Sequence, residues 1–380
     1  MGSDWAELCN QILDLVLEKL VSSSDYLRFS LVCKSWHSAA KDYQRSGNLS
    51  TCHPPMLLIS TGKNGIWRLY NIMDDKVLDL QLNLSNKRFC GSSKGWLIAV
   101  DQSRIVTLIN PFVRVKGRRM KKNSIIRLPP LTPPSPNIRD EMLAWAPYSN
   151  YFIFKAMLSA DPILDANNCI VLVIYEQQCQ MAFIRLNKDT TWTYVDQRYS
   201  IIEEVVLHQH KVYAASDRSF VSFDITTRSL SNVKFVAQCF RSGDWMKTYL
   251  VDSNDEELLM VERKIELEEE RVTRKFKIFK FDYKECKWIV KKSLGDVAIF
   301  LGDNSSISVS ASKFPECQPN CIYFTHDNIS VGAELGPRGP CDIGVYDVAS
   351  KKISQPSKDV MTLVKKSRQP PIWIVPRIQL

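Results

Sequence analysis

The residues with chemistry to offer are few and poorly grouped. Cys317 and Cys321 lie four apart, with His326 and Cys341 downstream, and His208-Gln209-His210 sets two imidazoles on one strand face. A zinc site calls for close, paired ligand sets, and here there is no second cysteine pair and the spacing does not fit. These side chains read as buried reduced cysteines and a solvent-facing histidine pair, so no metal and no cofactor is expected. Glu203-Glu204 and Asp74-Asp75 point to opposite sides of a strand or sit in a turn, which gives no acid–base couple. The chain lacks a phosphate loop ending in Gly-Lys, Gly-x-Gly-x-x-Gly and His-Glu-x-x-His. It is not expected to be an enzyme.

One charge cluster stands out. Arg114, Lys116, Arg118, Arg119, Lys121, Lys122 and Arg127 follow one another with no acid among them. Such a run is a solvated loop, a nuclear-import signal or a phosphate-binding patch. Arg118, Arg119, Lys121 and Lys122 are the residues of the import reading. No stacking aromatics interleave with them, so nucleic acid is not an expected partner.

The wider composition sets limits on what must position these residues. The chain has 380 residues, 45% hydrophobic and 24% charged, with a formal charge of +9. That excludes a wholly disordered chain and leaves ample core. No run of 18 apolar residues suggests a membrane span, and the start lacks the pattern of a secretion signal. Eleven cysteines, an odd number in a long chain, read as reduced thiols of a cytoplasmic or nuclear protein.

Residues 1–46 differ from the rest. Leu8, Ile12, Leu13, Val16, Leu17 and Leu20 recur at helical steps and make one apolar stripe. Ser22 to Asp25 breaks it, a second short helix covers Tyr26 to Val32, and Trp36, Ala39, Ala40 and Tyr43 mark a third. So small a unit buries too little apolar surface to stand alone and must meet a second body. That body is either the rest of this chain or a partner that accepts a helix face and a tryptophan anchor.

After a linker around residues 46–55 the pattern turns to short strands. Ile66 to Tyr70, Trp96 to Val100, Ile170 to Tyr175, Phe220 to Asp224, Lys277 to Asp282 and Ile343 to Asp347 are bounded by turn residues. Residues 253–275, with Glu266, Glu268, Glu269 and Glu270, suggest a long hairpin. An apolar residue followed by Asn or Asp recurs at Asn71, Asn110, Asn187, Asp224, Asp282 and Asp347, in steps of 39, 77, 37, 58 and 65 residues. The step of 77 suggests a missing unit around Leu143 to Tyr148. Propeller blades run about 40–50 residues, so residues 55–380 are expected to form six or seven. A pair of β-sandwiches is the other architecture such strands allow.

Particular residues then carry a family likeness. Trp5-Ala6-Glu7-Leu8, Ile12-Leu13 with Val16-Leu17 and Leu20, Asp25 with Leu27-Arg28, and Val32-Cys33-Lys34-Ser35-Trp36 resemble an F-box. Cys9 stands where that family usually has proline. The β-region resembles a domain common in plant F-box proteins, long described as of unknown function and regarded as a β-propeller. The likeness rests on Cys90-Gly91-Ser92-Ser93-Lys94-Gly95-Trp96-Leu97, Leu108-Ile109-Asn110-Pro111, Ile126 to Leu131, Glu257 to Arg263, Lys287-Trp288, Ser293 to Gly302, Ser308 to Pro315 and Asn320 to Thr325. Pro370-Pro371-Ile372-Trp373 looks like its closing strand.

The fold expected is therefore α+β and multidomain: a three-helix F-box at 1–46 and an all-β propeller at 55–380. The resemblance implies the substrate-recognition subunit of a Skp–cullin–F-box ubiquitin ligase. The F-box would hold the Skp-type adaptor, and through it the cullin–RING ligase, while the propeller would hold a target protein. Leu8, Ile12, Leu13, Leu17, Leu20, Val32, Cys33 and Trp36 are the expected adaptor contacts. The alternative is a propeller scaffold for protein interaction with a vestigial F-box.

Overall fold

The structure is a computed structural model. It describes residues 5–20, 29–45, 54–61, 66–73, 75–82, 87–112, 124–132, 152–176, 179–195, 202–216, 219–223, 233–239, 246–253, 256–267, 271–302, 305–314, 317–327, 340–367 and 369–376.

Six antiparallel or mixed sheets make six propeller blades. The first joins β1 (Met56–Ser60), β2 (Ile66–Asn71) and β3 (Lys76–Gln81) to the last strand of the chain, β25 (Ile372–Ile374). The second contains β4 (Lys87–Ser93), β5 (Trp96–Asp101), β6 (Ile105–Ile109) and β7 (Ile125–Pro130). The third contains β8 (Ile153–Leu158), β9 (Ile170–Tyr175), β10 (Gln180–Arg185) and β11 (Thr193–Tyr194). The fourth holds β12 (Ile202–His208), β13 (Lys211–Ser216), β14 (Ser219–Phe223) and β15 (Lys234–Gln238). The fifth holds β16 (Met246–Ser253), the hairpin β17 (Glu257–Leu267) and β18 (Arg271–Asp282), and β19 (Lys287–Val290).

The sixth blade has a different topology. Its order is β21 (Ser305–Ser310), β20 (Val297–Gly302), β22 (Cys321–Phe324), β23 (Gly344–Asp347) and β24 (Ile353–Ser354). β22 runs parallel to β20, so the chain crosses over through residues 311–320 instead of turning back in a hairpin. β25 then pairs with β1, Leu57 opposite Trp373, and closes the ring between the two ends of the propeller. Closure removes the open sheet edge that an array of blades would otherwise present.

The Asn and Asp markers have a physical basis. Asn71, Asp282 and Asp347 end, and Asn110 directly follows, a strand that leads into its blade's outer strand. The side-chain oxygen then accepts a backbone N–H two or three residues on: Met73 at 3.1 Å, Phe112 at 3.1 Å, Lys284 at 2.8 Å and Ser350 at 2.6 Å. This turn chemistry suits Asx residues because their short side chains imitate a backbone turn. Among the described residues the step of 77 contains β7, β8, β9 and β10, a single blade boundary, and the described sheets number six where six or seven were expected. Leu143 to Tyr148 lie outside the described residues.

The core is divided among the blade interfaces. Trp96, Ile98 and Val100 face Val171, Val173 and Tyr175 of the third blade. Leu97 and Ala99, on the opposite face of the same strand, pack on Leu58, Trp67 and Leu69 of the first. Similar clusters fill the other four interfaces. A central strand thus buries both faces, and Trp96–Val100 reads as a continuous apolar run. Gly91 in β4 has a steric reason: a Cβ there would lie 1.9 Å from the Ala156 carbonyl oxygen of the third blade.

A helix that the strand pattern did not announce, α3 (Lys358–Lys365), buries Val360 and Val364 against the cluster between the first and sixth blades. Its sequence signals are Ser357 before it, Asp359 in its first turn and Lys365 in its last.

The N-terminal residues form a separate helical unit. A short 3₁₀ turn, Trp5–Glu7, precedes α1 (Asn10–Lys19), and α2 covers Lys34–Arg45. Of the second helix expected at Tyr26 to Val32, residues 21–28 lie outside the described residues, and only Phe29 and Ser30 are helical among the others. Leu13, Leu17, Phe29, Ala39 and Ala40 make its core, with no propeller residue among them. No helix among the described residues is long and apolar enough to cross a membrane.

Candidate functional site

The helical unit divides its apolar residues between two faces. Leu13 and Leu17 are 0% and 2% exposed, in the core. Leu8, Val16, Leu20, Trp36 and Tyr43 lie partly buried around it. Trp36 packs on Phe29 in a tilted pair at 4.5 Å between centroids, and its indole N–H donates to the Trp5 carbonyl at 2.8 Å. Ile12 and Leu15, three apart on the other side of α1, are 45% and 59% exposed, and Leu31 and Val32 are 80% and 54% exposed. The single apolar stripe read from the sequence is therefore two: 13/17/20 faces inward and 12/15 faces solvent.

Of the eight expected contact residues, Ile12 and Val32 stand on the open surface, Cys33 is half-buried, and Leu8, Leu20 and Trp36 border the core. Leu15 and Leu31 belong to the exposed set and were missed. Helical spacing from Ile12 could have found Leu15. The helix start does not depend on proline at position 9: the Cys9 carbonyl accepts the N–H groups of Ile12 and Leu13 at 3.0 and 3.2 Å.

The propeller carries the second region of interest, at the channel mouth where its inner strands end. A cavity of about 690 Å³ is lined by Ser92 to Gly95 after β4, Met157 to Ser159 at β8, residues of the β12–β13 turn, Asp252 of β16, β21, and Val375 after β25. Volumes of about 300–1,000 Å³ suit small ligands or short chain segments. Its walls mix Met157, Leu158, Val206 and Phe314 with Ser92, Ser308, Lys94 and Lys313.

Polar ties join the blades around this channel. Arg88 donates to the Ile153 carbonyl, Ser93 to that of Leu158, and Lys155 pairs with Glu204. His208 Nδ1 lies 2.6 Å from Asp252, Ser308 donates to the Asp252 carbonyl, and Trp373 Nε1 donates to the Leu301 carbonyl at 2.9 Å. The Phe89 N–H donates to Gln369 Oε1 at 3.2 Å. Each buried polar group here needs such a partner. Glu204 is thus an ion-paired wall residue, away from any acid–base couple with Glu203.

The histidine pair differs from its expected form. His208 ends β12 fully buried, while Gln209 and His210 both take left-handed φ, 49° and 61°, in the hairpin turn. The turn, not a strand face, therefore sets their separation. His326 is buried and accepts the Cys341 N–H at Nδ1, 3.3 Å away. Burial and the nearby Arg271 push its imidazole down to about 4. Cys317 and Cys321 sit in the apolar cluster, and burial pushes both thiols up to about 11, which disfavours thiolate. Among the described residues no three His, Cys, Asp or Glu side chains meet in a metal-holding group.

Between the fifth and sixth blades lies a buried charge cluster. Arg263 donates through Nη2 to Asp342 at 2.8 Å, through Nε to Thr273 at 2.7 Å and through Nη1 to the Thr325 carbonyl at 2.9 Å. Arg271 pairs with Asp327, which also accepts from the Tyr249 hydroxyl. Burial would raise the Asp327 carboxyl, but Arg271 and Arg263 outweigh it and hold it well below the usual range. Two guanidinium and two carboxylate groups balance, so this is a structural clamp. The basic run with Arg118, Arg119, Lys121 and Lys122 lies outside the described residues.

Comparison with known proteins agrees with both regions. A family model described as the KIB1-4 beta-propeller matches residues 69–347, and one described as the F-box domain matches residues 5–45. The chain is 27% identical to the F-box protein SKIP23 of Arabidopsis thaliana, over 98% of this chain and 95% of that one. It is 25% identical to the F-box protein At2g26160 of the same plant, over 86% of this chain and 96% of that one. Among solved structures, the Cps50 (Swd1) β-propeller domain of Myceliophteria thermophila aligns at 9% identity with a TM-score of 0.36, covering 77% of this chain and 80% of that one.

Proposed function

Because this chain belongs to the KIB1-4 β-propeller family and carries an F-box domain at its N-terminus, we propose that it is the substrate-recognition subunit of a Skp–cullin–F-box ubiquitin ligase. The helical unit binds the Skp-type adaptor and the propeller binds the target. The observation that carries this reading is the open apolar surface of Ile12, Leu15, Leu31 and Val32 on a unit whose own core is already closed by Leu13, Leu17 and Phe29. Apolar side chains left exposed in this way gain by being covered, at about 25 cal/mol per Å².

The mechanism is proximity. A target held on the propeller is raised in effective concentration beside a ubiquitin-charged enzyme. The chain makes and breaks no bonds itself. It works in the cytoplasm, the nucleus or both. Neutralising Arg118, Arg119, Lys121 and Lys122 in a fluorescent fusion tests import: an unchanged nuclear-to-cytoplasmic ratio rejects it.

The test is capture of a recombinant Skp-type adaptor by the purified full chain. Ile12→Asp with Val32→Asp changes only solvent-facing positions, so the chain stays folded while capture weakens by about 30-fold or more, the equivalent of about 2 kcal/mol at a hot spot. Leu13→Ala acts differently: it opens the helical core at about 2–5 kcal/mol and lowers helix content. A folded wild-type chain that captures no adaptor ends the proposal.

A further inference from the structure

The outermost strand of the fifth blade is open. β19 ends its sheet, paired with β18 on one side and with no strand on the other among the described residues. Phe279 lies opposite Val290 and Phe281 opposite Trp288, and the Lys291 N–H donates to the Ile278 carbonyl at 2.8 Å. That bond marks Ile278 and Lys291 as a hydrogen-bonded pair, and such pairs alternate along an antiparallel ladder. Lys287 and Ile289 therefore direct their N–H and C=O groups at β18, while those of Trp288 and Val290 point to the free edge. The edge is held in shape, because the Trp288 ring lies 5.0 Å from both Phe281 and Phe220 of the fourth blade. An edge already ordered loses little freedom when a partner pairs with it.

The charge here is one-sided. From Arg271 to Lys292 nine residues are Lys or Arg and two, Asp282 and Glu285, are acidic. Arg271 belongs to the buried clamp, Arg274 pairs with Glu266, Lys280 and Lys291 share Glu257, Lys287 pairs with Glu285, and Lys284 lies beside Asp282. Lys275, Lys277 and Lys292 are exposed and have no acidic partner among the described residues. Lys277 lies over the Phe279 ring instead, at 4.8 Å. The register that pairs Phe279 with Val290 brings Lys292 level with Lys277 on the same face, and like charges so placed repel. An anionic group between them removes that repulsion.

We infer that the open edge of β19 takes an extended segment of a partner protein as a further strand, a segment with an apolar centre and acidic ends. The strand itself sets this pattern. Lys287 precedes Trp288, Ile289 and Val290, and Lys291 and Lys292 follow. Ile289 and Val290 are 44% and 52% exposed, so apolar side chains beside them gain cover while carboxylates meet the lysines at either end. Main-chain bonds to Trp288 and Val290 supply affinity and the side-chain pairs supply selectivity. A second copy of this chain is a poor occupant, because antiparallel pairing of two β19 strands sets Lys287 against Lys291 or Lys292. Nucleic acid bases need open ring faces to stack on, and those of Trp288 and Phe279 are taken by Phe220, Phe281 and Lys277. The site goes beyond the receptor reading and depends on it in no step.

The experiment uses the purified full chain and a fluorescein-labelled synthetic peptide, Glu-Glu-Val-Ile-Val-Glu-Glu, read by fluorescence polarisation. This peptide is expected to bind, and its all-glutamine counterpart to bind at least about tenfold more weakly. N-methylation of alternate backbone nitrogens, which blocks strand pairing and leaves the charge, should weaken it about tenfold. Lys277→Glu with Lys292→Glu changes only exposed positions and should weaken it about tenfold, with added salt lowering wild-type affinity more than that of the double variant. Val290→Pro removes an outward N–H, leaves the β18 ladder intact, and should weaken binding about fivefold. If that variant unfolds, the N-methylated peptide reads the same bonds. No binding of the acidic peptide, equal binding of its plain and N-methylated forms, or unchanged affinity in the folded double charge reversal overturns the inference. An oligothymidylate that loses affinity in the double variant while the peptide does not would assign the edge to nucleic acid and overturns it too.

Discussion

Replacing Arg263 by methionine should be among the most damaging single changes in the propeller. The guanidinium is fully buried and donates to Thr273, Tyr249, the Thr325 carbonyl and Asp342, while Asp327 lies 3.5 Å away. Without it, Arg271 is the one guanidinium left between Asp327 and Asp342, with Lys247 acting on Asp327 by charge alone, so the buried negative charge is under-compensated. Breaking a buried ion pair from one side costs about 3–5 kcal/mol, and at about 2 °C per kcal/mol for a large domain the unfolding midpoint falls by about 6–10 °C. The pH dependence fixes the cause. In wild type the Asp327 carboxyl is depressed, so its contribution persists above the ordinary aspartate value of about 3.9 and is lost as pH falls below it. In Arg263→Met the Asp327 carboxyl loses one of the guanidinium groups that depress it and moves up, so protonation relieves the defect more readily and the gap to wild type narrows as pH falls from 7 toward 5. Adding Asp342→Asn restores charge balance and should recover part of the loss. Thermal unfolding by circular dichroism across that pH range decides it. A midpoint within a degree or so of wild type, or a deficit that ignores pH, refutes the charge-balance argument.

Two further outcomes are expected. Gly91→Ala places a methyl 1.9 Å from the Ala156 oxygen, so the second and third blades must part, at about 1–3 kcal/mol, seen as a lower urea midpoint at unchanged slope. His326 is held neutral by burial and Arg271, with its value at about 4, so its contribution persists above about 6.5 and declines as pH falls toward 4. His326→Gln should flatten that part of the stability profile, and a profile unchanged by the substitution shows that the acid lability lies elsewhere.

The legible parts were those fixed by near neighbours in the chain. Asn71, Asn110, Asp282 and Asp347 announce turns because an Asx side chain bonds the backbone two or three residues on. The β17–β18 hairpin shows in its alternation, and Pro370 to Trp373 by likeness to a closing strand. The helical spacing of Leu13, Leu17 and Leu20 is as local. What stayed hidden depends on residues far apart in sequence. Ile12 and Leu13 are both apolar and adjacent, and only the fold of the helical unit around Phe29 and Ala40 turns one inward and leaves the other in water.

The sequence by itself determined that the chain is a short helical unit followed by short strands punctuated by recurrent Asn and Asp turns, because strand period, turn chemistry and helix stripe are properties of neighbouring residues. Only the tertiary structure decided that the blades number six, that β20 and β22 run parallel, and that Lys94, Ser306 and Lys313 line one cavity. Ring closure is the physical reason. Pairing β25 with β1 fixes how many sheets fit around the channel, and with it which inner-strand ends converge. No local stretch of sequence contains that constraint.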